Sequence, residues 1–509
     1  MHGRAGGRVM ERPSSIVLVT VDCLRADHVG FMGYVRPTTP FLDSLAQESL
    51  VFPNAVVSGA PTYYSFPAIM ASRHPLSLGR DVIGLAPGES TLAATLHAEG
   101  YATAAFVAGN PYLAPEFGYD QGFDVYRDFL EGATAGQPDY KPPGRLHRMN
   151  RTVETFARKL KLLSTAYDEL YFQYCQRAAS DKGESLDQLR RFPAADVLVD
   201  EACKWLASAA DRPFFLWLHF MDPHFPYYPS DEAIRLMGSE EVTASEARYW
   251  NSYWNRSDVA PSRLSAYRNQ IIGLYDAGIR WVDEQLGRLG RYLRDRSRWE
   301  NCALVFTADH GEEFLDHGGR FHPPSNLSEE IIHVPLLLTV PGVRKKEVCA
   351  APFSHLNLAP TLLNAVGVSS PAAFRGRNLW QQIRNGGDWE DAAVVESIAT
   401  CSNPFHKGDR MGARSLALRK SVYKLVLGGE QLQDELFNIE TDPGEHQPLT
   451  RAVEREVRRE LLECARNHLQ TSLQMQHSPY RLRSRIRDLR LELAKTRENT
   501  AVLPVASGA

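Results

Sequence analysis

Two acidic positions are set apart by what precedes them. Asp22 closes the run Ile16-Val-Leu-Val-Thr-Val, and Asp309 closes Ala303-Leu-Val-Phe-Thr-Ala and is followed at once by His310-Gly311. Two carboxylates and an imidazole form a ligand set suited to one divalent ion such as Mn²⁺ or Zn²⁺, with Ca²⁺ or Mg²⁺ less favoured by the nitrogen donor. Both apolar runs are short and rich in β-branched residues, as buried strands of a parallel sheet are. Such strands present their carboxyl ends to ligands, so two strand ends can converge on one ion. Cys23 directly follows Asp22 and would lie in or next to the coordination sphere.

These acids need a sheet to position them, and strand-like and helix-like segments alternate from Ile16 to about Leu379, as in an α/β fold. Thr39-Pro40 opens a helix, Ser90 to Glu99 forms a capped helix ended by Gly100, and Val51 to Val57 and Tyr101 to Val107 are predicted strands. The expected architecture is a large mixed, mostly parallel sheet flanked by helices, with a small C-terminal α+β subdomain and a helical tail. The predicted boundaries are an extension over 1–14, the main domain over 15–385 with a mostly helical insertion over 131–191, an antiparallel subdomain over 386–450 and an Arg-rich tail over 451–509. The insertion can act as a lid or cover a sheet edge. The stretch after Leu379, with its Gly-Gly pair, suggests a linker; Ser415 to Leu418, Tyr423 to Leu427 and Glu435 to Asn438 suggest short strands. Tyr480 to Arg490 carries five arginines against one aspartate, which suits a solvated tail or a docking helix for a partner subunit, so a homo-oligomer formed through the tail is considered.

Composition narrows the partners. A chain of 509 residues with 43% hydrophobic and 23% charged residues is ordinary for a globular protein, and a net charge of −4 gives no electrostatic case for nucleic acid. The N-terminal dozen residues lack an apolar core of signal-peptide length, and no apolar run approaches the roughly 20 residues needed to cross a bilayer. A cytoplasmic location with no membrane span is therefore expected. The seven cysteines are scattered and without a CxxC pair, as free thiols would be.

Three stretches in order, Val19-Thr-Val-Asp22-Cys-Leu-Arg25-Ala-Asp27, His219-Phe-Met-Asp-Pro-His224-Phe-Pro-Tyr227 and Thr307-Ala-Asp309-His310-Gly-Glu312, resemble the sulfatase family of the alkaline phosphatase superfamily. His333-Val-Pro335, Leu358-Ala-Pro360-Thr-Leu-Leu363, Arg375-Gly-Arg377-Asn-Leu379 and Glu435 through Glu445 extend the match to residue 450. The resemblance implies a metal at Asp22, Asp309 and His310, with Cys23 standing where many relatives have a second acid. Mn or Zn is favoured over Ca. It also implies a nucleophile in Ser58-Gly-Ala-Pro-Thr62-Tyr-Tyr-Ser65-Phe-Pro67-Ala-Ile69-Met-Ala-Ser72-Arg73-His-Pro75. Aligning Pro67 with the family's motif proline places Ser65 at the nucleophile, a plain helix N-cap being the competing role. Ile69 then stands where the family's Cys/Ser-x-Pro-x-Arg signature for formylglycine has arginine, so an unmodified serine is expected.

The same resemblance makes His224 the candidate general acid and places His322 near a substrate oxygen, with His317 a further substrate-binding candidate. Asn110 occupies the place of a Lys-x-His pair that grips sulfate in many relatives; it can donate to substrate or simply make a turn before Pro111. The expected activity is metal-dependent hydrolysis of a small-molecule or saccharide sulfate, phosphate (monoester or diester) or phosphonate ester. Two alternatives are a phosphoryl transferase with an alcohol acceptor and a catalytically weak scaffold.

Overall fold

The computed structural model describes residues 12–130, 173, 185–209, 212–238, 241–390, 392–428, 433–450 and 453–501; the lid or edge cover expected within 131–191 falls almost wholly outside them. The main sheet has eight strands. In chain order they are β1 (Ser15–Val21), β2 (Leu50–Val51), β3 (Ala102–Val107), β4 (Val125–Arg127), β5 (Phe214–Phe220), β6 (Cys302–Ala308), β7 (Leu336–Thr339) and β8 (Glu347–Val348). Their spatial order is β8-β2-β7-β6-β1-β5-β3-β4. β7 runs antiparallel to both neighbours and every other pairing is parallel.

Every residue of β1, β5 and β6 is buried. Continuous apolar runs of this kind suit strands covered on both faces, which is why these segments do not alternate as half-exposed strands do. The central register pairs Val21 with both Phe220 and Ala308, so Asp22 and Asp309 leave the sheet side by side. The stretch expected as one strand over Val51 to Val57 divides into Leu50–Val51 and Ala55–Val56, since Pro53 lacks the N–H that a ladder needs.

Helix α1 (Thr62–Ala71) starts directly after Pro61 and is buried at all ten positions. Helices α2 (Ala195–Ser208) and α3 (Arg268–Arg294) pack against each other, and α4 (Leu358–Ala365) packs on α1.

The smaller sheet has four antiparallel strands in sequential order, β9 (Ala393–Ile398), β10 (Arg414–Lys420), β11 (Tyr423–Gly428) and β12 (Gln433–Asn438). Its core joins Val394, Leu416, Leu418, Leu425 and Leu436 to Leu461 and Ala465 of α5 (Arg455–Met475). Part of the expected linker is a helix, Trp380–Asn385, closed by Gly386 at φ 64°. The small sheet touches the loop leading to α1, where Glu396 N donates to Ser58 O.

Helix α6 (Pro479–Ala501) carries the arginine-rich segment. Arg487 donates to the carbonyls of Ile83 and Leu85, and Arg481 pairs with Asp81 at 3.2 Å. These charges therefore engage the segment that follows α1, while Leu482, Ile486 and Leu489 remain exposed. Among the described residues no helix is long and apolar enough to cross a membrane.

A buried cluster fastens α5 to the main domain. His468 Nε2 lies 2.8 Å from Glu396 Oε2, Leu76 N donates to Glu396 Oε1, and the His74 and His468 rings are 4.5 Å apart. Burial works against the Glu396 carboxylate, but the bond to His468 and the neighbouring His74 and Arg414 hold it at about 2. Burial, with His468 nearby, pushes His74 down to about 3. Both groups bind protons less readily when folded. The His74 contribution is complete above the unfolded histidine value and is lost as pH falls from about 6.5 towards 3. That of Glu396 is complete above about 4.5 and is lost on descent towards 2. Thermal unfolding midpoints should accordingly decline from pH 7 to pH 5, with a shallower decline in His74→Gln; equal slopes would remove His74 from this account.

Candidate active site

The carboxyl ends of β1, β3, β5 and β6 supply one cluster. Asp22, Asp309 and His310 are fully buried there, and Thr62, the first residue of α1, reaches the same place. His310 Nε2 lies 3.6 Å from Asp309 Oδ2 and 3.7 Å from Asp22 Oδ1. The Thr62 hydroxyl is 3.2 Å from His310 Nε2 and 3.4 Å from Asp22 Oδ2. Gly311 closes the turn because an added Cβ would stand 1.9 Å from the Glu330 carbonyl oxygen.

The arrangement sets acceptors against acceptors. His310 Nδ1 lies 2.8 Å from Gly311 O, which takes its N–H and leaves the Nε2 lone pair facing both carboxylates. His219 repeats the pattern: Nδ1 is 3.0 Å from Thr20 Oγ1, while Nε2 faces Asp22 Oδ2 at 3.4 Å without a hydrogen bond. Asp309 Oδ2 is likewise buried and unbonded. Buried lone pairs and negative charges that converge in this way are costly unless a cation lies among them. The donor set therefore fits the divalent metal that members of the family generally bind.

The two carboxylates differ in proton affinity. Burial alone would raise Asp22, but His224, His219 and His310 together hold it well below the usual carboxylate range. Burial and the adjacent Asp22 charge raise Asp309.

A second group faces the first. His322 Nδ1 lies 3.4 Å from Glu312 Oε1 and 3.3 Å from Cys23 Sγ, and its ring is 4.6 Å from His310 and 5.4 Å from His224. The two outer histidines differ in charge preference. Burial disfavours the cation in both; Glu312, with Asp22 and Asp309, overcomes this at His322 and raises it, whereas His224 stays lowered despite Asp22. His224 Nδ1 is tied to Phe225 O.

Several expectations are revised by this geometry. Ser65, expected as nucleophile, is buried with its Oγ unbonded, and Thr62 is the hydroxyl beside Asp22 and His310. A residue three places further along a helix is rotated by about 60° and displaced by about 4.5 Å, which carries Ser65 off the strand-end face. Pro61 could have signalled this, since a helix that starts after it puts Thr62 in the first turn, where N–H groups are left without helical partners. Counted from Thr62, the two signature positions hold Tyr64 and Phe66, and Phe66 packs in the core 5.1 Å from the His219 ring.

Asn110, expected either on substrate or in a turn, caps the turn by accepting from Tyr112 N and donates to Asp22 Oδ2 at 2.8 Å. His317 bonds Glu330 Oε2 at 3.1 Å and neighbours Glu445. No contact joins His317 to the Asp22 cluster, because the turn at Leu315 to Gly318 points it the other way. Glu312 and His219 had no assigned role, although both stand in the quoted motifs. Arg25 is bound to Asp27 and Asp316, which take up its charge.

Comparison with known proteins identifies the family. The family model described as Sulfatase matches residues 14–368, and one described as N-sulphoglucosamine sulphohydrolase, C-terminal, matches 311–471. The chain is 25% identical over 437 residues to the ulvan-active sulfatase of Formosa agariphila, covering 84% of this chain and 75% of that one. It is 26% identical over 271 residues to arylsulfatase K of Mus musculus, a match spanning about half of each protein (48% and 48%). Solved structures share the fold. One, in complex with its substrate D-glucosamine-2-N,6-O-disulfate, has TM-score 0.62, 18% identity and coverage of 92% of this chain and 99% of that chain. The phosphonate monoester hydrolase of Agrobacterium radiobacter has TM-score 0.57, 18% identity and coverage of 91% and 96%.

Proposed function

The chain belongs to the sulfatase family of the alkaline phosphatase superfamily and is a sulfatase-like ester hydrolase; from that premise we propose that it uses Thr62 as an unmodified nucleophile on phosphoryl or phosphonyl esters in preference to sulfate esters. The observation that carries this reading is the Thr62 hydroxyl, at the N-terminus of α1 and 3.2 Å from His310 Nε2. Oxidising a threonine side chain gives a ketone, so the aldehyde of formylglycine is not accessible at this position. Tyr64 and Phe66 also replace the proline and arginine of the formylglycine signature.

A divalent ion, Zn²⁺ or Mn²⁺ by donor type, would be held by Asp22, Asp309 and His310; when bound it would favour the Thr62 alkoxide and neutralise charge on the ester. Asn110 fixes the Asp22 carboxylate. Thr62 Oγ, its proton released to solvent, forms a bond to phosphorus as the bond to the leaving oxygen breaks, and free N–H groups in the first turn of α1 favour the developing charge. His322, kept cationic beside Glu312, gives its proton to the leaving oxygen. Once neutral, it takes a proton from water, which attacks the phosphoryl-threonine ester as the bond from phosphorus to Thr62 Oγ breaks; this restores the cationic His322, and the departing Thr62 oxygen regains its proton from solvent. His224, neutral by burial, holds the water or a substrate oxygen.

The side chains gathered around Thr62 offer imidazoles, carboxylates and a thiol. With no guanidinium or ammonium there among the described residues, a singly charged ester is better matched than a dianion. The test compares kcat/KM of the Zn²⁺- or Mn²⁺-loaded enzyme on one aryl leaving group presented as phosphodiester, phosphonate monoester, phosphate monoester and sulfate. The first two are expected to exceed sulfate by about tenfold or more. Dominant sulfate cleavage would overturn the preference.

A further inference from the structure

Cys23 occupies a position that the ester chemistry does not use. Its Sγ is fully buried, 3.0 Å from Asp22 Oδ1 and 3.3 Å from His322 Nδ1. Sγ, an Asp22 oxygen and a His310 nitrogen lie within 4.8 Å of one another. The backbone at Cys23 has φ 59°, a left-handed conformation uncommon away from glycine. Contacts on both sides hold it there: Cys23 N donates to Asp309 Oδ1 at 3.3 Å, and Cys23 O accepts from Tyr275 OH at 2.7 Å. Strain of this sort persists where the surroundings impose it, and here it delivers the sulfur to Asp22 while the Cys23 N–H engages Asp309.

The thiol does not answer the demand of its neighbours. It supplies at most one weak donor to a group containing two carboxylates, with Asp309 Oδ2 and His219 Nε2 both buried and unbonded. A sulfur that loses its proton to a bound cation resolves this differently, because it adds negative charge and a soft ligand at once.

We propose that Cys23 is a thiolate ligand of the same metal, making the set Asp22, Cys23, Asp309 and His310 and selecting zinc over manganese or calcium. The inference rests on the metal-dependent reading of this site and deepens it. Uptake of the ion is balanced by release of the Cys23 proton to solvent, with no change in oxidation state. A mixed set of oxygen, nitrogen and sulfur donors is poor for hard oxygen-seeking cations and good for a borderline ion with tetrahedral preference.

Cobalt replaces zinc and reports its ligands by colour. The purified full-length chain, stripped with chelator and reloaded with Co²⁺ alone, is expected to show visible ligand-field bands and a near-ultraviolet sulfur-to-cobalt charge-transfer band. In Cys23→Ser the charge-transfer band should vanish while ligand-field bands persist. Cys23→Asp should bind Mn²⁺ more tightly and Zn²⁺ less tightly than wild type, by about tenfold in the ratio, and aspartate also tolerates the left-handed backbone. Circular dichroism establishes that each variant is folded. Ligand-field bands in wild type without a charge-transfer band would overturn the thiolate assignment and leave the metal site standing. Absence of any bound Co²⁺ in folded wild type would overturn both.

Discussion

Thr62→Ala is expected to lower kcat/KM by about 10³-fold or more, while Ser65→Ala stays within about tenfold of wild type. The asymmetry follows from position. Thr62 Oγ1 is the hydroxyl within reach of His310 Nε2 and Asp22 Oδ2, whereas Ser65 Oγ makes no hydrogen bond. Alanine removes the attacking oxygen but leaves every proposed metal ligand, so metal content should not change. Thr62→Ser keeps the oxygen and should retain most of the activity. Rapid acid quenching during turnover of a phosphonate or phosphate ester should trap the transferred group on the peptide containing Thr62, as read by mass spectrometry. Loss of activity in Ser65→Ala with retention in Thr62→Ala would reverse the assignment and restore the serine.

Why the sequence led to Ser65 is a question of frame. Pro67 looks like a motif proline, and a serine two residues before it fits a helix start. In the folded chain Pro67 lies inside α1, whose first turn began five residues earlier. Three residues matter little to a motif read along a string, yet they turn a side chain from the sheet edge into the core. Asp22 and Asp309 carried no such ambiguity. Each ends an apolar run, parallel strands must be joined through their ends, and the register places Val21 against Ala308. The large mixed sheet was legible for the same reason.

What escaped the sequence was pairing over long separations. Asn110 resembled a substrate donor until Asp22 Oδ2 was seen to accept from it. His317 was one of four histidines close in sequence, but a tight turn sends it to Glu330 and away from His310. The arginines of α6 suggested a solvated or docking surface, yet Arg487 binds the carbonyls of Ile83 and Leu85, some four hundred residues earlier in the chain, and Arg481 pairs with Asp81. The strand Ala393–Ile398 passed unnoticed beside a supposed linker, although Glu396 fastens the small sheet to α5.

His322→Ala separates proton transfer from binding. With a nitrophenolate leaving group, which departs without a proton, the variant should stay within about tenfold of wild type. With an alkoxide leaving group of high pKa the loss should reach about 10²–10⁴-fold, the usual contribution of a positioned general acid. A plot of log kcat/KM against leaving-group pKa should therefore steepen in the variant. Glu312→Gln tests the source of the proton. Burial opposes a charged His322 and the Glu312 carboxylate outweighs it, so removing that charge lowers the imidazole's proton affinity. The protonated form is then lost at lower pH, and the alkaline limb of the kcat/KM profile should move down while the metal content is unchanged. A purely structural role for His322 would depress all esters alike and leave the leaving-group slope where it was. If the slope steepens in His224→Ala instead, the proton belongs to His224, and the neutral state that burial imposes on it in the free enzyme must be reversed when substrate binds.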